Sequence, residues 1–129
     1  MGGSTDPDQR NLLQTVKGGN IIDLRGQTGF LELAEVLRRC DLLITTDSGP
    51  AHVAAAVGTP VVGIYSGLDY PNCWHPHGDR HIIIRKEIDC QICVKESCDS
   101  MACIKRITVE EVLSAARKFM ERKDAERRI

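Results

Sequence analysis

The sequence predicts an α/β fold, a Rossmann-like parallel sheet with helices on both faces, and three observations carry that expectation. Residues 20–24, 41–46, 60–65 and 81–85 form short runs rich in Ile, Val and Leu. They do not alternate with polar residues, which is how strands buried on both faces read. Helical patterns separate the runs, and a strand, helix, strand order implies right-handed crossovers and parallel pairing. Finally, 129 residues with 42% hydrophobic content suit one compact domain.

The elements follow in order. Residues 1–4, Met-Gly-Gly-Ser, read as a loop that should follow a strand whose residues are absent, so the chain is expected to be a piece of a larger fold lacking its first strand. The first apolar run, 20–24, leads through a loop at 25–28 into a helix over 29–39. That helix sets Phe30, Leu33, Ala34 and Leu37 on one face, with Cys40 expected to be buried at its end. After the run at 41–46 comes an alanine-rich helix over 50–57, ended by Gly58. A loop at 66–78 follows the third run. Thr108 and Glu111 make a capping box, after which Val109, Val112, Leu113, Ala116 and Phe119 recur at helical spacing, so a helix from about 108 should cover one face of the sheet. The charged residues 121–129 are expected to be its solvated, partly frayed end.

Composition excludes several classes. Seventeen basic and 18 acidic residues leave a formal charge of −1, so no global attraction to nucleic acid or anionic membrane is expected. The most apolar stretch, 53–65, is interrupted by Gly58, Pro60 and Gly63 and is too short to span a bilayer. The first residues carry no secretory signal, and a reducing cytoplasm is the expected compartment. Neither G-x-G-x-x-G nor G-x-x-x-x-G-K-[ST] occurs, which argues against hydride transfer and NTP hydrolysis. No G-x-S-x-G elbow surrounds Ser48, so a serine hydrolase is rejected.

In a doubly wound sheet, ligands bind beyond the carboxyl ends of the strands. The segment Thr45-Thr46-Asp47-Ser48-Gly49-Pro50-Ala51-His52 is such an end running straight into a helix. Pro50 suits the first helical position, and Ser48 or Gly49 suits the cap before it. The free backbone N–H groups and the positive end of the helix dipole then make an anion site fit for a phosphate. Gly49 would let a ligand approach the backbone, Ser48 could donate its hydroxyl, and His52 could donate one further hydrogen bond.

These residues also carry a resemblance. Gly26-Gln-Thr28-Gly-Phe-Leu31-Glu-Leu33-Ala34, the stretch from Asp41 through Asp47-Ser48-Gly49-Pro50-Ala-His52 to Gly58-Thr-Pro60-Val-Val, and Trp74-His-Pro76 occur in the order and at the separations of glycosyltransferase family 9. The chain thus resembles the ADP-heptose:lipopolysaccharide heptosyltransferases from Asp23 to the last helix. The resemblance implies a GT-B fold, two Rossmann-like domains across a cleft, of which residues 1–129 correspond to most of the C-terminal, donor-binding domain. It implies donor contacts at Thr28, Asp47, Ser48, Gly49 and His52, and an acidic contact at Asp8 or Asp6. It implies an inverting transfer of heptose from ADP-heptose to the lipopolysaccharide inner core, with no cofactor required. The general base and acceptor pocket belong to the family's N-terminal domain, so no catalytic residue is expected in this chain, which should bind ADP or ADP-heptose without turnover. The resemblance also places the protein in the cytoplasm or at the inner face of the inner membrane. Leu68 departs from the family's pattern, which commonly has a hydroxyl there. Two other readings stay open: a related nucleotide-sugar enzyme such as an epimerase, and a non-catalytic or oligomerising module that forms a homodimer through an exposed sheet edge.

The loop at 66–78 holds Cys73, Trp74, His75 and His77; Trp74 is expected to pack under the loop, and H-x-H beside a cysteine reads as loop surface without a metal. The Cys-rich loop at 88–104 carries Cys90, Cys93, Cys98 and Cys103 as C-x2-C-x4-C-x4-C, the spacing of a zinc knuckle with its histidine replaced. A structural Zn, an iron–sulfur cluster, disulfides and free thiols all fit that spacing. The loop has no aromatic, no glycine and only Lys95 as a cation, so a nucleic-acid module is rejected.

Overall fold

The structure is a computed structural model that describes residues 19–68, 70–93 and 98–127. A three-stranded sheet in the order β1 (Leu43–Thr46), β2 (Val61–Tyr65) and β3 (His81–Arg85) lies at its centre. All pairing is parallel, with Leu43 opposite Val61 and Val61 opposite His81. Among the described residues four helices surround it: α1 (Phe30–Arg39), α2 (Gly49–Ala56), α3 (Ala102–Lys105) and α4 (Val109–Arg127). The α/β reading of the sequence therefore holds. No helix among the described residues is long and apolar enough to cross a membrane.

The helices cover two faces because the central strand demands it. Val61 and Val62 are both 0% exposed, and consecutive strand residues point to opposite faces, so apolar groups must cover each side of β2. On one side Val61 packs with Leu37 of α1 and with Ala51 and Ala54 of α2. The small side chains of α2 bring its backbone close to the sheet. On the other side α4 lies against β2 and β3 and buries Ala115. Each of these valines contributes about 1.5–3 kcal/mol by burial. Thr59, the one buried polar side chain in the described core, donates its hydroxyl to the Leu37 carbonyl at 2.6 Å and so ties the end of α1 to the approach to β2.

Helix ends follow the local chemistry. The Glu32 carboxylate accepts the Gly29 N–H at 2.7 Å, and the exposed Glu35 is held down to about 2 by its bonds to Arg38 and Arg39. Gly58, at φ +84, supplies the left-handed residue after α2. At α4 the capping box is complete: Thr108 N–H donates to Glu111 Oε2 at 2.9 Å, and Glu111 N–H donates to Thr108 Oγ1 at 3.2 Å. Glu111 also pairs with Lys86, just past β3, and Lys123 pairs with Asp41, just before β1. Twelve helical residues rise roughly 18 Å, so α4 crosses the sheet diagonally from the carboxyl end of β3 to the amino end of β1.

Four expectations are corrected. Residues 20–24 form no strand, and Ile21 and Ile22 are exposed. A strand needs a ladder partner, and no described segment offers one. Phe30, assigned to the inner face of α1, is 70% exposed, because α2 meets that helix nearer its end at Leu33 and Leu37. Val109 and Leu113 likewise point outward, and Ala115 takes the buried place. Cys40 is exposed, since it caps α1 through its backbone N–H to the Leu37 carbonyl and lies beyond the packed turn.

Candidate functional site

The carboxyl ends of the three strands converge in one region. At the end of β1, Ser48 is the N-cap of α2 in extended conformation (φ −163°, ψ 161°), and Pro50 sits in the first turn. Ala51 N–H donates to the Ser48 carbonyl at 3.0 Å. The Ser48 side chain does not cap the helix. Its hydroxyl donates to the Thr46 carbonyl at 3.0 Å and lies 3.0 Å from Thr45 Oγ1. Pro50 has no N–H and the Ala51 N–H is taken by the Ser48 carbonyl, so the Gly49 N–H is the first-turn donor left to solvent or to a ligand. Gly49 is exposed, and a Cβ built on it would meet nothing within 4 Å. No packing requirement explains the glycine; the space in front of it is open.

Asp47 and His52 are exposed on the same turn, and Thr28 is half-buried in the loop before α1. The structure thus gathers Asp47, Ser48, Gly49 and His52 at one strand end. Among the described residues no hydrogen bond joins Thr28 to that turn. Asp8 and Asp6 lie outside the described residues.

The sequence reading missed a second layer behind the turn. Tyr65, the last residue of β2, is 2% exposed and donates its hydroxyl to the Trp74 carbonyl at 3.1 Å. The His75 ring stands edge-on to it, with centroids 5.1 Å apart and planes at 83°. Burial, and then the charge of Asp47, push the Tyr65 phenol up. Burial and then the Arg85 guanidinium push His75 below its ordinary value, against the opposing pull of Asp47. Among the described residues His75 Nε2 is buried without a hydrogen-bond partner. Asp47, Tyr65, His75 and Arg85 therefore share one electrostatic neighbourhood across all three strand ends. No local sequence pattern signals this layer, because what sets Tyr65 beside Arg85 is the strand register.

The loop departs from expectation in two places. Trp74 is 53% exposed rather than packed under the loop, because its carbonyl, not its indole, is what the core holds. His75 is turned in against Tyr65 rather than lying on the surface, whereas the His77 carbonyl accepts a hydrogen bond from the His81 ring at 3.0 Å. The four cysteines of the second loop line one cavity of about 350 Å³. Among the described residues no three His, Cys, Asp or Glu side chains stand together as a ready metal group.

Comparison with known proteins gives a consistent answer. Residues 1–104 match the model for glycosyltransferase family 9 (heptosyltransferase). The chain is 36% identical over 64 residues to lipooligosaccharide heptosyltransferase 2 of Haemophilus influenzae, covering 50% of this chain and 18% of that one. It is 25% identical over 114 residues to lipooligosaccharide heptosyltransferase 2 of Campylobacter jejuni, covering 85% of this chain and 36% of that one. The crystal structure of a family 9 glycosyl transferase from Veillonella parvula superposes with a TM-score of 0.66 at 26% identity, covering 89% of this chain and 33% of its own. The chain spans about a third or less of the length of these relatives.

Proposed function

Since the chain belongs to glycosyltransferase family 9, we propose that it forms the donor-holding part of a transferase that moves heptose from ADP-heptose to the lipopolysaccharide core. One observation carries the reading most: an uncapped helix start at the carboxyl end of a parallel strand, with open space in front of Gly49. A diphosphate placed there would meet the Gly49 N–H and the positive end of the α2 dipole. Exposed His52 adds one donor, and the Ser48 hydroxyl, released from Thr46, adds another. These groups would stabilise the charge that grows on ADP as the sugar leaves, and the work asked of them is electrostatic. Deprotonation of the acceptor hydroxyl falls, in this reading, to the other half of the GT-B pair, so this chain alone binds without turnover.

Calorimetric titration with ADP, UDP and ADP-heptose tests the reading. ADP should bind in preference to UDP. Combining Ser48→Ala with His52→Ala should weaken it about tenfold or more, the loss expected for one or two hydrogen bonds to a charged group. Gly49→Ala should leave the folded state intact, because its Cβ meets nothing, yet weaken ADP by obstructing the approach. Unchanged affinity in both variants would refute the site.

A further inference from the structure

The described residues between β3 and α4 hold none of the buried core, yet they take a costly backbone. Ile92 and Met101 stand in the left-handed region at φ 58° and 44°, where a non-glycine residue costs about 1–2 kcal/mol and a β-branched one is a true outlier. Short irregular segments without a core of their own are commonly held by disulfides or by a metal, and no disulfide joins the described cysteines. What the segment does have is sulfur. Cys90, Cys93, Cys98 and Cys103 all line one cavity, whose remaining wall is mostly apolar and includes Leu68, Ile88 and Ile104. Cys98 Sγ accepts the Met101 N–H at 3.3 Å and lies 3.4 Å from the Ser100 hydroxyl. The Met101 N–H is an outer partner of the kind that orients sulfurs in metal sites.

We infer that Cys90, Cys93, Cys98 and Cys103 are a site for one soft divalent cation of the zinc type. Four thiols release their protons to solvent as four metal–sulfur bonds form, with no oxidant consumed. No three potential ligands stand together beforehand, so the ion gathers sulfurs across a cavity that all four already line. The site would also brace the end of β2. Ile92 N–H donates to the Gly67 carbonyl at 2.7 Å, and a Cβ on Gly67 would meet Cys103 Cβ at 3.5 Å. The inference is independent of the nucleotide-sugar reading.

The test uses the full chain purified under reducing conditions, with metal content measured directly and Co(II) as the optical probe. One zinc per chain is expected, together with a thiolate-to-cobalt charge-transfer band and the d–d envelope of a tetrahedral site that zinc then bleaches. Cys93→Ser combined with Cys103→Ser should abolish both, while Cys40→Ser combined with Cys73→Ser should leave both unchanged. Should the loop variant misfold by circular dichroism, chelation of the unsubstituted chain replaces it: removing the ion should speed proteolysis within residues 86–101, and restoring zinc should reverse that. A cobalt spectrum that is absent or survives Cys93→Ser/Cys103→Ser, proteolysis indifferent to chelation, bound iron with sulfide, or disulfides among these cysteines would each overturn the inference.

Discussion

Gly63 couples the sheet to the loop behind the site, and substitution by alanine should expose that coupling. A Cβ there would stand 2.6 Å from Tyr65 Cε2 and 2.8 Å from Ile83 Cδ1, so neighbours must yield by roughly 1 Å to regain ordinary carbon contact. The Ile83 methyl can rotate away. The Tyr65 ring cannot do so freely, because it is 2% exposed, bonded to the Trp74 carbonyl and packed against His75. Overpacking of this kind costs about 1–3 kcal/mol, of which a broken phenol hydrogen bond accounts for about 1 kcal/mol. The stiffer alanine backbone returns about 0.5–1 kcal/mol, leaving a net loss of about 0–2.5 kcal/mol, centred on about 1 kcal/mol. Urea unfolding followed by the emission of Trp74, the single tryptophan, measures the loss and shows whether the loop moves. In a Tyr65→Val background the clashing ring atoms are gone, and Gly63→Ala should then cost less than about 0.5 kcal/mol. An equal cost in the two backgrounds would show that the ring is not what resists the methyl.

Two further outcomes follow from the helix start and the buried imidazole. Thr108→Ala removes the acceptor of the Glu111 N–H and should destabilise the chain by about 1 kcal/mol in urea unfolding; no loss of α4 signal would mean that Lys86 and Glu111 alone fix that end. Burial holds His75 below its ordinary 6.5, with Arg85 adding to the shift and Asp47 opposing it. The unfolded chain therefore takes up that proton first, so this contribution is intact above about pH 6.5 and declines as pH falls from there toward the folded pKa. The urea midpoint should drop between about pH 7.5 and about pH 5, and His75→Phe, which keeps the edge contact, should shrink the drop; an equal drop in both proteins would assign the acid sensitivity elsewhere.

The parts legible in the sequence are those whose cause is local or whose burial is two-sided. Val61 and Val62 read as a strand because consecutive buried valines need cover on each face, and the start of α4 reads from Thr108 and Glu111 because a capping box is complete within four residues. The turn at Asp47, Ser48, Gly49 and His52 was visible for the same reason: strand end, proline and glycine are adjacent in the chain. What escaped depends on partners far along the sequence. Residues 20–24 have strand composition, but composition does not make a ladder. Trp74 looked like a residue to bury, yet the groove holds its carbonyl through Tyr65, and no side-chain pattern encodes that. Phe30 sits on the correct helical stripe but past the reach of α2.

The orientation of Ser48 distinguishes this helix start from an ordinary one. A serine at the N-cap usually turns its oxygen toward the helix and occupies an N–H of the first turn. Here Thr46 and Thr45 hold the hydroxyl back against the strand, which forgoes about 1 kcal/mol of capping. Ala51 N–H, the one donor a Ser48 cap could take because Pro50 has none, bonds the Ser48 carbonyl instead, beside a glycine that no neighbour crowds. Thr45 is then one of two groups that hold the serine off the helix. Replacing it by valine, which preserves strand shape and removes the hydroxyl, would leave Ser48 with one partner instead of two. The serine could then swing onto the helix and accept the Ala51 N–H. Removing the Thr45 hydroxyl would thus give α2 an ordinary serine cap, a gain of up to about 1 kcal/mol in urea unfolding, and unchanged stability would show that the Thr46 carbonyl alone holds the serine back.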